Sequence, residues 1–162
     1  MMNNTLADRV ILVTGASGIA AAGARLFAAS GAHVFIVSRT PDKCASLFSE
    51  IDAAGGVVDW AQADLTSESE ADDATQACLD RFGRIDGLFA VAGGSGRRFG
   101  DGPVHEMDLT GWEETLKLNG HPAFLAARNA VRVMRSQELN DSGTRGSIVL
   151  VTSVLAASPV PS

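Results

Sequence analysis

The stretch Thr14-Gly15-Ala16-Ser17-Gly18-Ile19-Ala20 follows a run of β-branched residues and leads into a segment of helical period. Glycines at such a turn let the main chain approach a pyrophosphate, whose charge is stabilised by free N–H groups at a helix N-terminus. The context points to Gly15, Ser17, Gly18 and Ile19 as phosphate-facing positions of a dinucleotide site. A tight turn between strand and helix needs glycine for positive φ with or without a ligand, and that alternative stands beside the first. A second position bears on which dinucleotide. Such folds usually close the second strand with an Asp or Glu that accepts hydrogen bonds from the adenosine ribose. Here the second apolar run ends in Ser38-Arg39. Without a carboxylate to repel a 2′-phosphate, and with a guanidinium to pair with it, the site favours NADP, with NAD as the second choice. The competing reading makes Arg39 a solvated surface cation.

These positions must be held by a scaffold, and the pattern of the chain supplies one. Short runs at Val10–Val13, His33–Val37, Val57–Trp60, Gly87–Val91 and Ser147–Val151 alternate with longer segments of helical period. That alternation predicts an α/β fold: a doubly wound, Rossmann-like parallel sheet in the order 3-2-1-4-5, in one unit over residues 1–162. Ile19, Ala22, Leu26 and Phe27 form the stripe expected to face the sheet. Thr40 before Pro41 reads as a helix cap, and Ser67 with Glu70 and Thr110 with Glu113 have capping-box spacing. Thr110 to about Ser136 is the longest helical candidate. Within it Pro122 deprives the Leu118 carbonyl of its partner, so an opening beside Asn119 is expected. The Gly94–Gly102 stretch reads as a loop.

The residues resemble the short-chain dehydrogenase/reductase family, whose first turn reads Thr-Gly-x-x-x-Gly-x-Gly. The present turn lacks one spacer residue and has Ala20 where the last glycine would stand, which predicts weak cofactor binding. The resemblance implies that Asp64-Leu65 meets the adenine, although Asp64 equally suits a role in capping the next helix. It also implies that Val91, Ala92 and Gly93 approach the cofactor, with both amide side chains of the family's Asn-Asn-Ala-Gly replaced. Asn119 and Ser153 match the family's catalytic Asn and Ser, the serine being the group that hydrogen-bonds the substrate oxygen. The family's Tyr-x-x-x-Lys would fall just after Ser162, and the sequence contains no tyrosine. The implied activity is an NADP-preferring oxidoreduction of a small carbonyl or alcohol substrate, catalytically incomplete in these 162 residues and carried out by a homo-oligomer in the full-length parent. A non-catalytic nucleotide-binding or scaffold protein, or a non-functional fragment, is the alternative.

Composition narrows the classes further. Thirteen Lys and Arg against 19 Asp and Glu give a net charge of −6, which argues against nucleic acid or an anionic membrane surface as partner. With 46% hydrophobic and 20% charged residues the chain reads as globular, and no apolar run would span a bilayer. The start at Met1 has no signal-peptide pattern, and Cys44 and Cys78 stand apart without zinc-ligand spacing. A cytoplasmic protein without a metal is therefore expected. His33, His105 and His121 fall on a strand start, a loop and a helix, with none of the logic of a hydrolase triad.

Overall fold

The computed structural model describes residues 5–157; the Met1 start read for a signal peptide and the end of the chain at Ser162 lie outside them. Five strands, β1 (Val10–Thr14), β2 (His33–Ser38), β3 (Val57–Gln62), β4 (Gly87–Ala90) and β5 (Ser147–Leu150), form one parallel sheet in the order β3-β2-β1-β4-β5. Four helices connect them: α1 (Gly18–Ala29), α2 (Pro41–Ala53), α3 (Glu68–Phe82) and α4 (Leu109–Ser136). The expected topology is observed. None of these helices is long and apolar enough to cross a membrane.

The central strand explains why its sequence is a continuous apolar run rather than an alternating one. All five residues of β1 are buried, as expected of a parallel strand covered on both faces. Successive side chains point to opposite faces. Val10 and Leu12 accordingly join a core with Phe35, Val37 and Leu88, closed by α3 and α4. Ile11 and Val13 join Val34, Ile36 and Val58 beneath α1 and α2.

The face that α1 turns to the sheet differs from the expected stripe. Ala20, Ala21 and Ala24 are buried, whereas Ile19 and Leu26 are 61% and 64% exposed. Close approach decides this. A Cβ on Gly23 would lie 2.6 Å from the Phe89 ring, so only small side chains fit between α1 and the sheet, and Phe89 packs edge-on against Phe27 at 5.4 Å.

The helix starts follow the sequence in two cases and depart from it in one. Thr40 precedes Pro41 at the head of α2. Ser67 Oγ accepts from the Glu70 N–H at 3.4 Å, but the Glu70 carboxylate reaches the Asp64 N–H at 2.8 Å instead of closing a box. At α4 the cap is Asp108, accepting from the Gly111 N–H at 2.6 Å, and Thr110 lies inside the helix. A carboxylate two residues earlier meets the free N–H groups and the positive end of the helix dipole. The helix then continues unbroken through Pro122, so the expected opening is not a break. The Gly94–Gly102 loop contains one 3-10 turn, Arg97–Phe99.

At the amino-terminal edge of the sheet, Asp86 is buried and accepts from the Val10 N–H at 3.1 Å. Arg84 grips it through Nε at 2.9 Å and Nη2 at 2.7 Å. Nearby, Gln137 at the end of α4 accepts from the Ile85 N–H at 3.2 Å and donates to the Ile85 and Arg145 carbonyls. It ties α4 to the approaches of β4 and β5.

Candidate functional site

At the carboxyl edge of the sheet the connections after β1, β2, β3 and β4 splay apart around an open cleft of about 290 Å³. This is the edge where ligands sit in open α/β sheets. Gly15, Ser17, Ser38, Arg39, Asp64, Leu65, Ala92 and Gly93 all line it, joined by Leu118 and Pro122 from α4. Eight of the sequence-selected positions therefore converge.

Each wall has a local cause. Gly15 has φ of +105°, and a Cβ there would meet the Ala20 methyl at 3.0 Å. The turn thus needs glycine on backbone grounds, and the methyl of Ala20 crowds the inner side of the same turn. Ser17 is the N-cap residue of α1, yet its side chain makes no capping bond, which leaves its hydroxyl and the first-turn N–H groups open to an anion. Gly18 lines a second cleft between α1 and α2. Ile19 is largely exposed and lines neither cleft.

The ends of β1 and β4 are locked by a single hydroxyl. Thr14 Oγ accepts from the Val91 N–H at 2.9 Å and the Ala92 N–H at 3.0 Å. These bonds hold the β4 exit against the central strand even though no amide side chain stands at 90 or 91. Val91 is half-buried, packs against the core on the α1 and α2 side, and does not line the cleft.

The side-chain cap of α3 comes from Ser67 and not from Asp64. Asp64 Oδ1 instead accepts from the Thr66 N–H at 2.9 Å and shapes the loop on the cleft. Partial burial would raise its carboxyl, but the Thr66 hydrogen bonds and the charges of Arg39 and Lys117 outweigh that and hold it below the usual carboxylate range.

Asn119 and Ser153 do not line this cleft. The Asn119 amide clasps the loop after β4, accepting from the Gly94 N–H at 2.9 Å and donating to the Gly94 carbonyl at 3.0 Å. It also donates to the Thr115 carbonyl at 3.0 Å. A Cβ at Gly93 would lie 2.6 Å from Asn119 Oδ1, so glycine there serves the clasp. Ser153 is exposed beyond β5, its Oγ accepting from the Leu155 N–H at 3.1 Å. Along the β4–β5 ladder Ala90 pairs with Leu150, so Gly93 and Ser153 each stand three residues past the last paired positions.

Among the cleft residues that sequence reasoning did not select, one carries a charge. Lys43, in the first turn of α2, lines both the main cleft and the second one. Nothing in its sequence context separates it from an ordinary helix-surface lysine. Only its spacing of four from Arg39 was available as a signal. Among the described residues no group of three or more metal-ligating side chains comes together.

Comparison with known proteins agrees with this geometry. A family model described as short chain dehydrogenase matches residues 9–162. The chain is 36% identical to an A-factor type gamma-butyrolactone 1'-reductase of Streptomyces virginiae, over 96% of this chain and 58% of the relative. It is 35% identical to a cis-4-hydroxycyclohexanecarboxylate dehydrogenase of Sinomonas cyclohexanicum, over 96% and 59%. The chain thus spans somewhat under three fifths of these relatives' lengths. Among solved structures, a metagenomic short-chain oxidoreductase in complex with NADP superposes with a TM-score of 0.81 at 30% identity, over 96% of this chain and 66% of that one. The citronellol catabolism dehydrogenase AtuB of Pseudomonas aeruginosa PAO1 gives 0.82 at 29%, over 97% and 61%.

Proposed function

Because the chain belongs to the short-chain dehydrogenase family, we propose that it is the nucleotide-binding part of an NADP-preferring oxidoreductase acting on a small carbonyl or alcohol substrate. The observation that carries this reading is the convergence of Gly15, Ser17, Arg39, Asp64, Ala92 and Gly93 on one cleft. The cleft lies near the lower limit of ligand sites, about 300–1,000 Å³, and suits the adenosine half of a dinucleotide. Arg39 lines it with no ion-pair partner among the described residues, and Ser38 brings no negative charge against a 2′-phosphate. The free hydroxyl of Ser17 and the first-turn N–H groups of α1 would hold the pyrophosphate. Asp64 and Leu65 would border the adenine.

When bound, the cofactor supplies or accepts the hydride. The residues of this chain then have separate tasks. Ser153 Oγ orients the substrate oxygen, and Asn119 fixes the loop that walls the nicotinamide end. Neither has a pKa suited to delivering a proton near neutral pH, and the chain has no tyrosine. The 162-residue chain given NADPH and a panel of aldehydes and ketones is therefore expected to show no turnover. An extension supplying Tyr-x-x-x-Lys is expected to restore it in a Ser153-dependent way. Turnover by the short chain, lost on Ser153→Ala, would overturn this division of labour. Cofactor choice is tested by titrating the chain with NADPH and NADH, where equal affinities would refute the preference.

A nucleotide-binding protein without turnover is the second reading, favoured by the Ala20 methyl that crowds the turn beside Gly15. Assembly into a homo-oligomer belongs to the first. It is supported by the exposed apolar residues Leu109, Trp112, Leu116, Phe124 and Val131 along α4.

A further inference from the structure

The second cleft, about 280 Å³ between α1 and α2, meets the first along Ala16, Ser17 and Lys43. Lys43 is the cation at that seam. It is exposed, and it pairs with no carboxylate among the described residues. Its position is unfavourable for the helix it sits on, because a positive charge in the first turn opposes the helix dipole. Asp42 beside it is the acidic residue of that turn. Glu50, the carboxylate lining the second cleft, is held by Arg25 through Nε at 2.9 Å and Nη2 at 2.6 Å. Lys43 is thereby left free for a ligand.

The chemistry of a 2′-phosphate calls for such a residue. A phosphate monoester carries roughly −1.5 to −2 at neutral pH, so one guanidinium leaves about half of its charge unanswered. Arg39 and Lys43 are four residues apart across the start of α2 and line the same cleft. Arg39 offers a planar fork and Lys43 a mobile point charge on a flexible stem. We propose that Lys43 is the second cation of the 2′-phosphate site, closing on the phosphate from the seam of the two clefts, so that cofactor choice is set by the pair and not by Arg39 alone. The inference rests on the NADP reading above and adds a specificity-determining residue to it.

The test uses adenosine 2′,5′-bisphosphate and 5′-AMP as calorimetric probes of the 162-residue chain, because neither carries the pyrophosphate that the short glycine turn must hold. The unmodified chain is expected to bind the bisphosphate more tightly by roughly tenfold or more, the worth of a charged hydrogen-bonding partner. Lys43→Met keeps the stem and removes the charge. It is expected to cut that preference several-fold, leave 5′-AMP affinity unchanged, and leave the melting temperature equal or higher. Lys43→Arg should retain the preference, and Lys43→Met with Arg39→Ala should abolish it. A preference that survives Lys43→Met and Lys43→Gln but disappears in Arg39→Ala would remove Lys43 and leave the NADP reading standing. Equal loss of both probes on Lys43→Met would also overturn the inference, since a 2′-phosphate ligand has no reason to act on 5′-AMP. If the unmodified chain did not distinguish the probes, the NADP reading would fall and Lys43 with it.

Discussion

The two edges of the sheet treat charge in opposite ways. At the amino-terminal edge Asp86 is buried, with its side chain 3% exposed, and is answered by the Val10 N–H, by two nitrogens of Arg84 and by Arg9 at 3.8 Å. At the carboxyl edge Arg39 and Lys43 line a cleft without an ion pair among the described residues, and Ser17 leaves its own helix uncapped. Both edges are built from the same strands. The closed edge turns its polar groups inward, where their satisfaction supports the fold, while at the open edge Arg39, Lys43 and the Ser17 hydroxyl face the cleft without such partners. On the proposed reading, stability and binding lie about one strand length apart.

The strongest way to break this contrast is at the closed edge. Asp86→Ala leaves the Val10 N–H and the partly buried Arg84 without their acceptor, and losing these charged hydrogen bonds while a buried N–H goes unpaired costs about 3 kcal/mol. Denaturant unfolding should register that loss. If the variant folds, its nucleotide affinity should be unchanged, and an equal loss of both would show that the two edges are coupled. Next in size is Arg39→Ala, expected to cost about 1.5–3 kcal/mol of NADPH affinity, the worth of a hydrogen bond to a charged group, with NADH unaffected. Ser38→Asp should reverse the preference by repulsion, read in paired NADPH and NADH titrations.

Asn119→Ala removes the clasp on Gly94 and is expected to cost about 1–2 kcal/mol by the same unfolding assay, with faster proteolysis in the Gly94–Gly102 loop. The smallest effect at neutral pH lies in α3, at Cys78. Burial raises the Cys78 thiol from 9.0 to about 12. A group whose pKa is higher in the folded state contributes stability that is fully present below the unfolded value and is lost as pH rises through the folded one. The decline should therefore begin near pH 9 and run toward about 12, and Cys78→Ser should alter that alkaline slope. Alkylation of Cys78 at neutral pH should follow global unfolding only.

The legible parts of the molecule were those fixed by local pattern. β1 and β2 could be read because strands buried on both faces are continuous apolar runs, and their order followed from alternation with helices. Most residues that line the cleft could be read because each follows the end of a strand. What escaped depended on how elements approach one another. The buried face of α1 was misjudged because Gly23 against Phe89 admits only alanines, and helical period says nothing about that distance. Thr110 reads as the α4 cap because Glu113 follows at capping-box spacing, whereas Asp108, followed there by Gly111, caps through its carboxylate alone. Lys43 could not be separated from a surface lysine until α2 was placed against the cleft. Asn119 was found by resemblance, but its engagement with Gly94 required the β4 exit loop to be in place.

The Gln137 amide has a consequence for the order in which the molecule opens. One side chain bonds both backbone groups of Ile85 and the Arg145 carbonyl, so the last turn of α4, the entry to β4 and the entry to β5 share a fastener. Among the described residues β5 pairs with β4 alone, with Val149 54% exposed and Leu150 49% exposed, and little other burial holds it there. Fraying of the α4 terminus and release of β5 are thus one cooperative event rather than two. In amide hydrogen exchange the β5 backbone should open together with the end of α4, well before the strands on either side of β1 yield, so that the sheet is dismantled from the β5 edge inward.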